Sequence, residues 1–98
     1  MNEVVMSGVI HGFHALRYTP AGVPVAEFCL RHASTQQEAG QARRVALDLK
    51  AIAVGVVARR LASELPQGEI TARGFLAARS QRSTEIVLHA NTIEAHAD

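Results

Sequence analysis

Asn2-Glu3-Val4-Val5-Met6-Ser7-Gly8-Val9-Ile10, then Thr19-Pro20-Ala21-Gly22-Val23-Pro24, then Val25-Ala26-Glu27-Phe28-Cys29-Leu30-Arg31-His32 occupy the first third of the chain. Strong β-formers flank Gly8, so the glycine marks a bend or a close backbone approach inside a strand rather than a strand end. The spacing predicts one long strand from about Glu3 to Tyr18, with Gly8 and Gly12 inside it. Pro20-Ala21-Gly22 has turn chemistry, since proline presets φ and glycine tolerates positive φ. Beyond it, Ala26, Phe28 and Leu30 share one strand face while Glu27, Cys29 and Arg31 share the other. Such a hairpin opens a small barrel.

The remaining chain continues that pattern. Residues 34–42 are polar and predict a loop. Val45, Leu47, Leu49 and Ala51 alternate with Ala46, Asp48 and Lys50 in a third strand. Val54, Val57, Ala58, Leu61, Ala62 and Leu65 then repeat with helical period, which predicts a helix over 54–65 ended by Pro66 and Gly68. Ile70, Ala72, Gly74 and Leu76 mark a fourth strand from Glu69 to Arg79, with Phe75 on its other face. After the turn Ser80-Gln81-Arg82-Ser83, a fifth strand places Ile86, Leu88 and Ala90 on one face. Ile93 and Ala95 then take over, and this slip at Asn91-Thr92 predicts a bulge. Five strands with one short helix between the third and fourth match an all-β OB fold, a partly open Greek-key barrel, as one domain over 1–98.

Composition limits the function classes. With 98 residues, 48% of them hydrophobic, and only 4% aromatic, the core is aliphatic. The formal charge of +1 does not announce a nucleic-acid binder. Nine of the ten basic residues are arginine and only Lys50 is lysine, a bias that suits phosphate and base contacts but also follows from codon usage. Cys29 is the sole cysteine, which excludes an intrachain disulfide. No signal-peptide pattern or membrane-length apolar run is present, and a cytoplasmic location is expected. No phosphate loop or nucleophile motif occurs, so the chain is not expected to be an enzyme and no cofactor is expected. His11 and His14 fall on opposite faces of the first strand if it runs straight, so no metal site is expected either. His11, His14, His32 and His89 read most simply as surface imidazoles.

Charge placement says more than its sum. Residues 4–26 hold His11, His14 and Arg17 without a carboxylate; 39–47 hold Arg43 and Arg44; 70–84 hold Arg73, Arg79 and Arg82. Glu64, Glu69, Glu94 and Asp98 lie on the helix and toward the C-terminus. On a five-stranded Greek-key barrel the three basic segments converge on the binding face and its rim. Arg17, Arg43, Arg44, Arg79 and Arg82, assisted by Lys50, are the expected phosphate contacts. Single-strand binders add aromatic platforms; the candidates are Phe13, Tyr18 and Phe75, while Phe28 faces the core. Val5 and Val9 form an outward apolar row on strand one, which predicts a dimer seam.

The chain resembles the primosomal replication protein N family, PriB, of the single-stranded DNA-binding class. The resemblance rests on Met6-Ser7-Gly8, Ser34, Gln37-Glu38-Ala39-Gly40, Gly74-Phe75 and Val87-Leu88-His89-Ala90, and spans nearly the whole chain. It implies a homodimer built through the first strands that binds single-stranded DNA in replication restart at bacterial forks. Its implied partners are the helicase PriA, the loader protein DnaT and the general single-stranded DNA-binding protein. Arg17, Arg43, Arg82 and His89 match its DNA-binding positions. Gln41 and Ala46 replace aromatics of better-known members, and Glu85 replaces a lysine, which implies weaker intrinsic DNA affinity. The rival expectation is a protein-binding adaptor with little or no nucleic-acid binding.

Overall fold

The computed structural model describes residues 1–96; Asp98, counted above among the C-terminal acids, lies outside them. Its elements are β1 (Val4–His11), β2 (Arg17–Tyr18), β3 (Pro24–Glu38), β4 (Gln41–Val54), α1 (Val56–Ser63), β5 (Glu69–Ala78) and β6 (Ile86–Ala95). The sheet order is β1-β5-β6-β4-β3-β2, and β1 also pairs with β3. That extra pairing closes β1, β3, β4, β6 and β5 into a barrel. All pairings are antiparallel except the short β4–β6 contact, Ala51 to Leu88 and Ile52 to His89. Five principal strands with one helix between β4 and β5 constitute an OB fold, as the strand pattern predicts.

The core follows from the alternation. Leu30, Ile70, Leu88 and Val87 are fully buried, with Ala26, Ala51, Ala53, Ala72 and Ala90 filling the narrow spaces between strands. The helix seals the barrel with Ala58 and Leu61. It is shorter than the 54–65 stripe because Val54 stays in β4 and Gly55 supplies no side-chain cap; the Gly55 N–H instead donates to the Pro24 carbonyl at 2.8 Å. None of the described helices is long and apolar enough to cross a membrane.

Two boundaries differ from the sequence reading. The first strand stops at His11 rather than Tyr18: Gly12 turns left-handed at φ 63° and the His14 N–H bonds the Glu27 carbonyl at 3.0 Å. Residues 34–42 are not a loop. Ala39 and Gly40, at φ 53° and 78°, form the two-residue left-handed turn that suits a tight hairpin. The pairing therefore continues through Ser34–Val45, Thr35–Arg44, Gln36–Arg43 and Glu38–Gln41 into an exposed two-stranded arm. The bulge stands where the slip places it: Arg73 opposes Thr92 but Gly74 opposes Ala90, leaving Asn91 without a partner.

Two glycines permit close strand approach, Gly8 at the β1–β3 closure and Gly74 beside the β5–β6 bulge. A Cβ on Gly8 would lie 2.5 Å from the Arg31 carbonyl oxygen, and one on Gly74 only 1.8 Å from that of His89. Beside Gly8, His32 is buried rather than a surface imidazole. Its Nδ1 lies 2.7 Å from the Ser7 carbonyl and its Nε2 2.8 Å from Ser34 Oγ. The carbonyl can only accept, so Nδ1 carries the proton and Nε2 accepts from the serine hydroxyl. Gly8→Ala and Gly74→Ala are each expected to lower unfolding free energy by about 1–3 kcal/mol in urea denaturation, as overpacking does, with Gly74→Ala the larger loss. Gly68→Ala, which meets nothing within 4 Å, is expected to be near neutral.

Candidate nucleic-acid interface

The outer face of the barrel carries a continuous row across four strands. On β3 Glu27 opposes Ile52 of β4, Ile52 opposes His89 of β6, and His89 opposes Phe75 of β5. At one end Phe75 and His89 stack with centroids 5.0 Å apart and rings 4° from parallel. Phe75 is 37% exposed, and a shallow hollow bounded by Ile52, Val54, Val57 and Asn91 adjoins the pair. Alternation put Phe75 outward on its own strand; the pairing register supplies the histidine beneath it.

At the other end Arg17 of the first basic segment and Arg79 of the third meet and Lys50 joins them, but not unopposed, while the segment holding Arg43 and Arg44 stays away. Arg17 Nε lies 3.4 Å from Glu27 Oε2, and Arg79 Nη2 donates to Glu27 Oε1 at 2.8 Å. Arg79 Nη1 reaches Glu85 Oε1 at 3.1 Å, and Lys50 Nζ reaches Glu85 Oε2 at 3.2 Å. Three cations and two carboxylates thus form one chain around an open cleft lined by Gly12, His14, Cys29 and Ala51. Carboxylate-free stretches of sequence did not make a carboxylate-free surface, because Glu27 and Glu85 enter from adjacent strands and turns. Lys50 holds the Glu85 carboxyl below its ordinary value chiefly through their hydrogen bond, partial burial pulls the other way, and Arg79 adds to the lowering. Whatever this network adds to stability is present above the ordinary carboxylate range and is lost as pH falls through the depressed Glu85 value.

The other expected contacts are dispersed. Arg43 donates to Glu38 Oε1 at 2.9 Å near the tip of the arm. Arg44 opposes Thr35, eight residues along β3 from Glu27, or roughly 26 Å at the rise of a strand. These two do not converge with Arg17 and Arg79. Arg82 is exposed on the turn between β5 and β6, and Arg44 and Arg82 make no ion pair among the described residues. Tyr18 is 60% exposed on β2, opposite Pro24 of β3 and outside the lining of the cleft. Phe13 is not a free platform: once the chain turns at Gly12, its ring packs against the core. Val5 and Val9 are 50% and 41% exposed on the outer face of β1.

Comparison with known proteins agrees with this architecture. Residues 2–92 match a family described as another single-strand binding protein family. A replication restart protein PriB from Nitrosomonas europaea is 40% identical over 88 residues, covering 90% of this chain and 82% of the relative. That from Bordetella pertussis is 39% identical over 89 residues, covering 91% and 83%. The structure of PriB from Ralstonia solanacearum superposes with a TM-score of 0.86 at 30% identity, covering 99% of both chains. With the barrel, the register and near full-length similarity in agreement, the chain belongs to the PriB family of the OB-fold single-strand binding class.

Proposed function

We propose that the chain binds single-stranded DNA non-enzymatically across the outer row from Phe75–His89 to the Arg17–Glu27–Arg79–Glu85–Lys50 network, as an accessory protein of replication restart. The observation that carries this reading is the register itself. It sets an exposed aromatic pair and a cationic cleft on one face, the combination that sequence-tolerant strand binding uses. A base stacks on Phe75, phosphates run past Ile52, and Arg17, Lys50 and Arg79 receive them at the cleft. Arg82 extends the rim, Tyr18 offers a second surface, and Arg43 and Arg44 meet only a strand long enough to follow the arm. In this role the protein acts in the bacterial cytoplasm, at forks, beside PriA, DnaT and the general single-stranded DNA-binding protein.

Fluorescence anisotropy of a labelled oligothymidylate at several salt concentrations tests the proposal. Saturable binding that weakens with salt is expected, with a slope of about 0.7 per phosphate neutralised. Phe75→Ala is expected to remove about 1–3 kcal/mol of that binding, the range of one base–aromatic stack. Absence of binding at low salt would leave the adaptor reading, which Glu27 and Glu85 favour by neutralising much of the cleft.

Those two carboxylates lead to a second expectation. In Glu27→Gln the positive ends of Arg17 and Arg79 are released while side-chain size is kept. Oligothymidylate affinity is then expected to rise by about one order of magnitude at low salt, with a steeper salt slope; an unchanged or weaker affinity would count against the cleft as the phosphate path.

We also propose that Val5 and Val9 form the seam of a homodimer along β1. Sedimentation of the wild-type chain is expected to report a dimer, and the double variant Val5→Asp, Val9→Asp a folded monomer, because like charges would face each other across a two-fold contact.

A further inference from the structure

Closure of β1 onto β3 assembles three metal-ligand side chains that no stretch of sequence places together. His11 on β1 opposes Cys29 on β3, and Arg31, two residues further along β3, opposes Asp48 on β4. One ligand atom from each of His11, Cys29 and Asp48 lies within 4.8 Å of the other two. His11 Nε2 is 3.5 Å from Asp48 Oδ1, yet this buried nitrogen has no hydrogen-bond partner. An unpaired buried imidazole nitrogen facing a thiol and a carboxylate is a donor set in want of a common acceptor.

We propose that His11 Nε2, Cys29 Sγ and the Asp48 carboxylate form a three-donor site for a zinc-class divalent cation on the closure seam of the barrel. Imidazole, thiolate and carboxylate are all ligands of that ion, at about 2.0–2.1, 2.3 and 2.0–2.2 Å respectively. In a tetrahedron those lengths put ligand atoms about 3.3–3.6 Å apart, so the observed spacing needs a contraction of about 1 Å and no change in strand register. Of the three donors Cys29 lines the cleft together with Gly12, His14 and Lys50, and water from that cleft would complete the shell. Magnesium and calcium, which take oxygen donors, do not suit a thiol and an imidazole.

Along the chain His14 is the histidine nearest His11, and the two do not share a strand face. The fold pairs His11 with Cys29 and Asp48 instead. Two features set the affinity below that of a dedicated structural site. Arg31 Nε holds Asp48 Oδ1 at 3.2 Å and must share or release it, and Lys50 opposes Cys29 across the β3–β4 pair although it is drawn toward Glu85. A free thiol is mostly protonated at neutral pH, so the ion enters by displacing that proton. The S–H bond breaks, an S–metal bond forms, and one proton passes to solvent. Because the ion ties β1, β3 and β4 together, it favours the folded over the unfolded chain.

Cobalt titration of the reduced wild-type chain without oxygen tests this. With a single cysteine, a thiolate-to-cobalt charge-transfer band in the near ultraviolet can arise only from Cys29. The band is expected to saturate at one equivalent and to vanish on adding zinc. Cys29→Ser and Asp48→Asn are expected to weaken zinc binding at least about tenfold, since even indirect support of a metal ligand is worth that much, and to abolish the rise in melting temperature that zinc produces. No charge-transfer band in the wild type overturns the proposal, whatever the variants do. So does a zinc-induced melting shift of equal size in Cys29→Ser, which would place the ion on other histidines.

Discussion

Everything at the surface of this barrel depends on the closing contact between β1 and β3. The contact is short, three residue pairs from Val9–Arg31 to His11–Cys29, and it forms only because Gly8 lets the Arg31 carbonyl approach where a side chain would stand. His32 locks the same seam from inside, joining the Ser7 carbonyl of β1 to Ser34 of β3. A buried imidazole with both nitrogens satisfied adds orientation without the cost of an unpaired polar group. Once the seam is shut, β1 lies between β3 and β5 and is most exposed along its outer row, at Val5 and Val9, with His11 half-buried at its end.

Electrostatics on the outer face are a consequence of strand neighbours rather than of charge runs. Glu27 sits two positions before Cys29 on β3, and the fold brings Arg17 from β2 and Arg79 from the end of β5 onto its two oxygens. Glu85 does the same for Arg79 and Lys50. Exposed ion pairs of this kind contribute little to stability. Their effect is on the ligand: a phosphate must compete with a carboxylate for each guanidinium, so the face is cationic but moderated. The aromatic end of the row has no such competitor, since Phe75 lies over His89 and remains partly exposed. Stacking and charge are thereby separated along the path of a strand.

Much of the fold was legible in the chain itself, for physical reasons that hold residue by residue. Period-two alternation in Ala26-Phe28-Leu30 and in Ile70-Ala72-Gly74 fixed which face is buried, because a one-residue slip would turn the whole apolar set outward. The helical stripe through Ala58 and Leu61 located the plug, and the phase change at Asn91 located the bulge. The polar composition of 34–42 misled, since solvent-exposed strands need no apolar face and the Ala39-Gly40 turn was the better signal. Phe13 misled in the opposite sense: a lone aromatic near a turn looked free, and the turn folded it inward.

The site was legible in its parts and hidden in its relations. Sequence alone determined the five-stranded barrel, the outward setting of Phe75 and Lys50, and the apolar row on β1, because those depend on local periodicity and turn chemistry. Only the tertiary structure decided that Glu27 and Glu85 neutralise the cleft, that Arg43 and Arg44 stand apart on an arm, that Phe75 stacks on His89, and that His11 faces Cys29 and Asp48. Each of those facts depends on which residues the strand register sets side by side, and register and barrel closure act through space rather than along the chain.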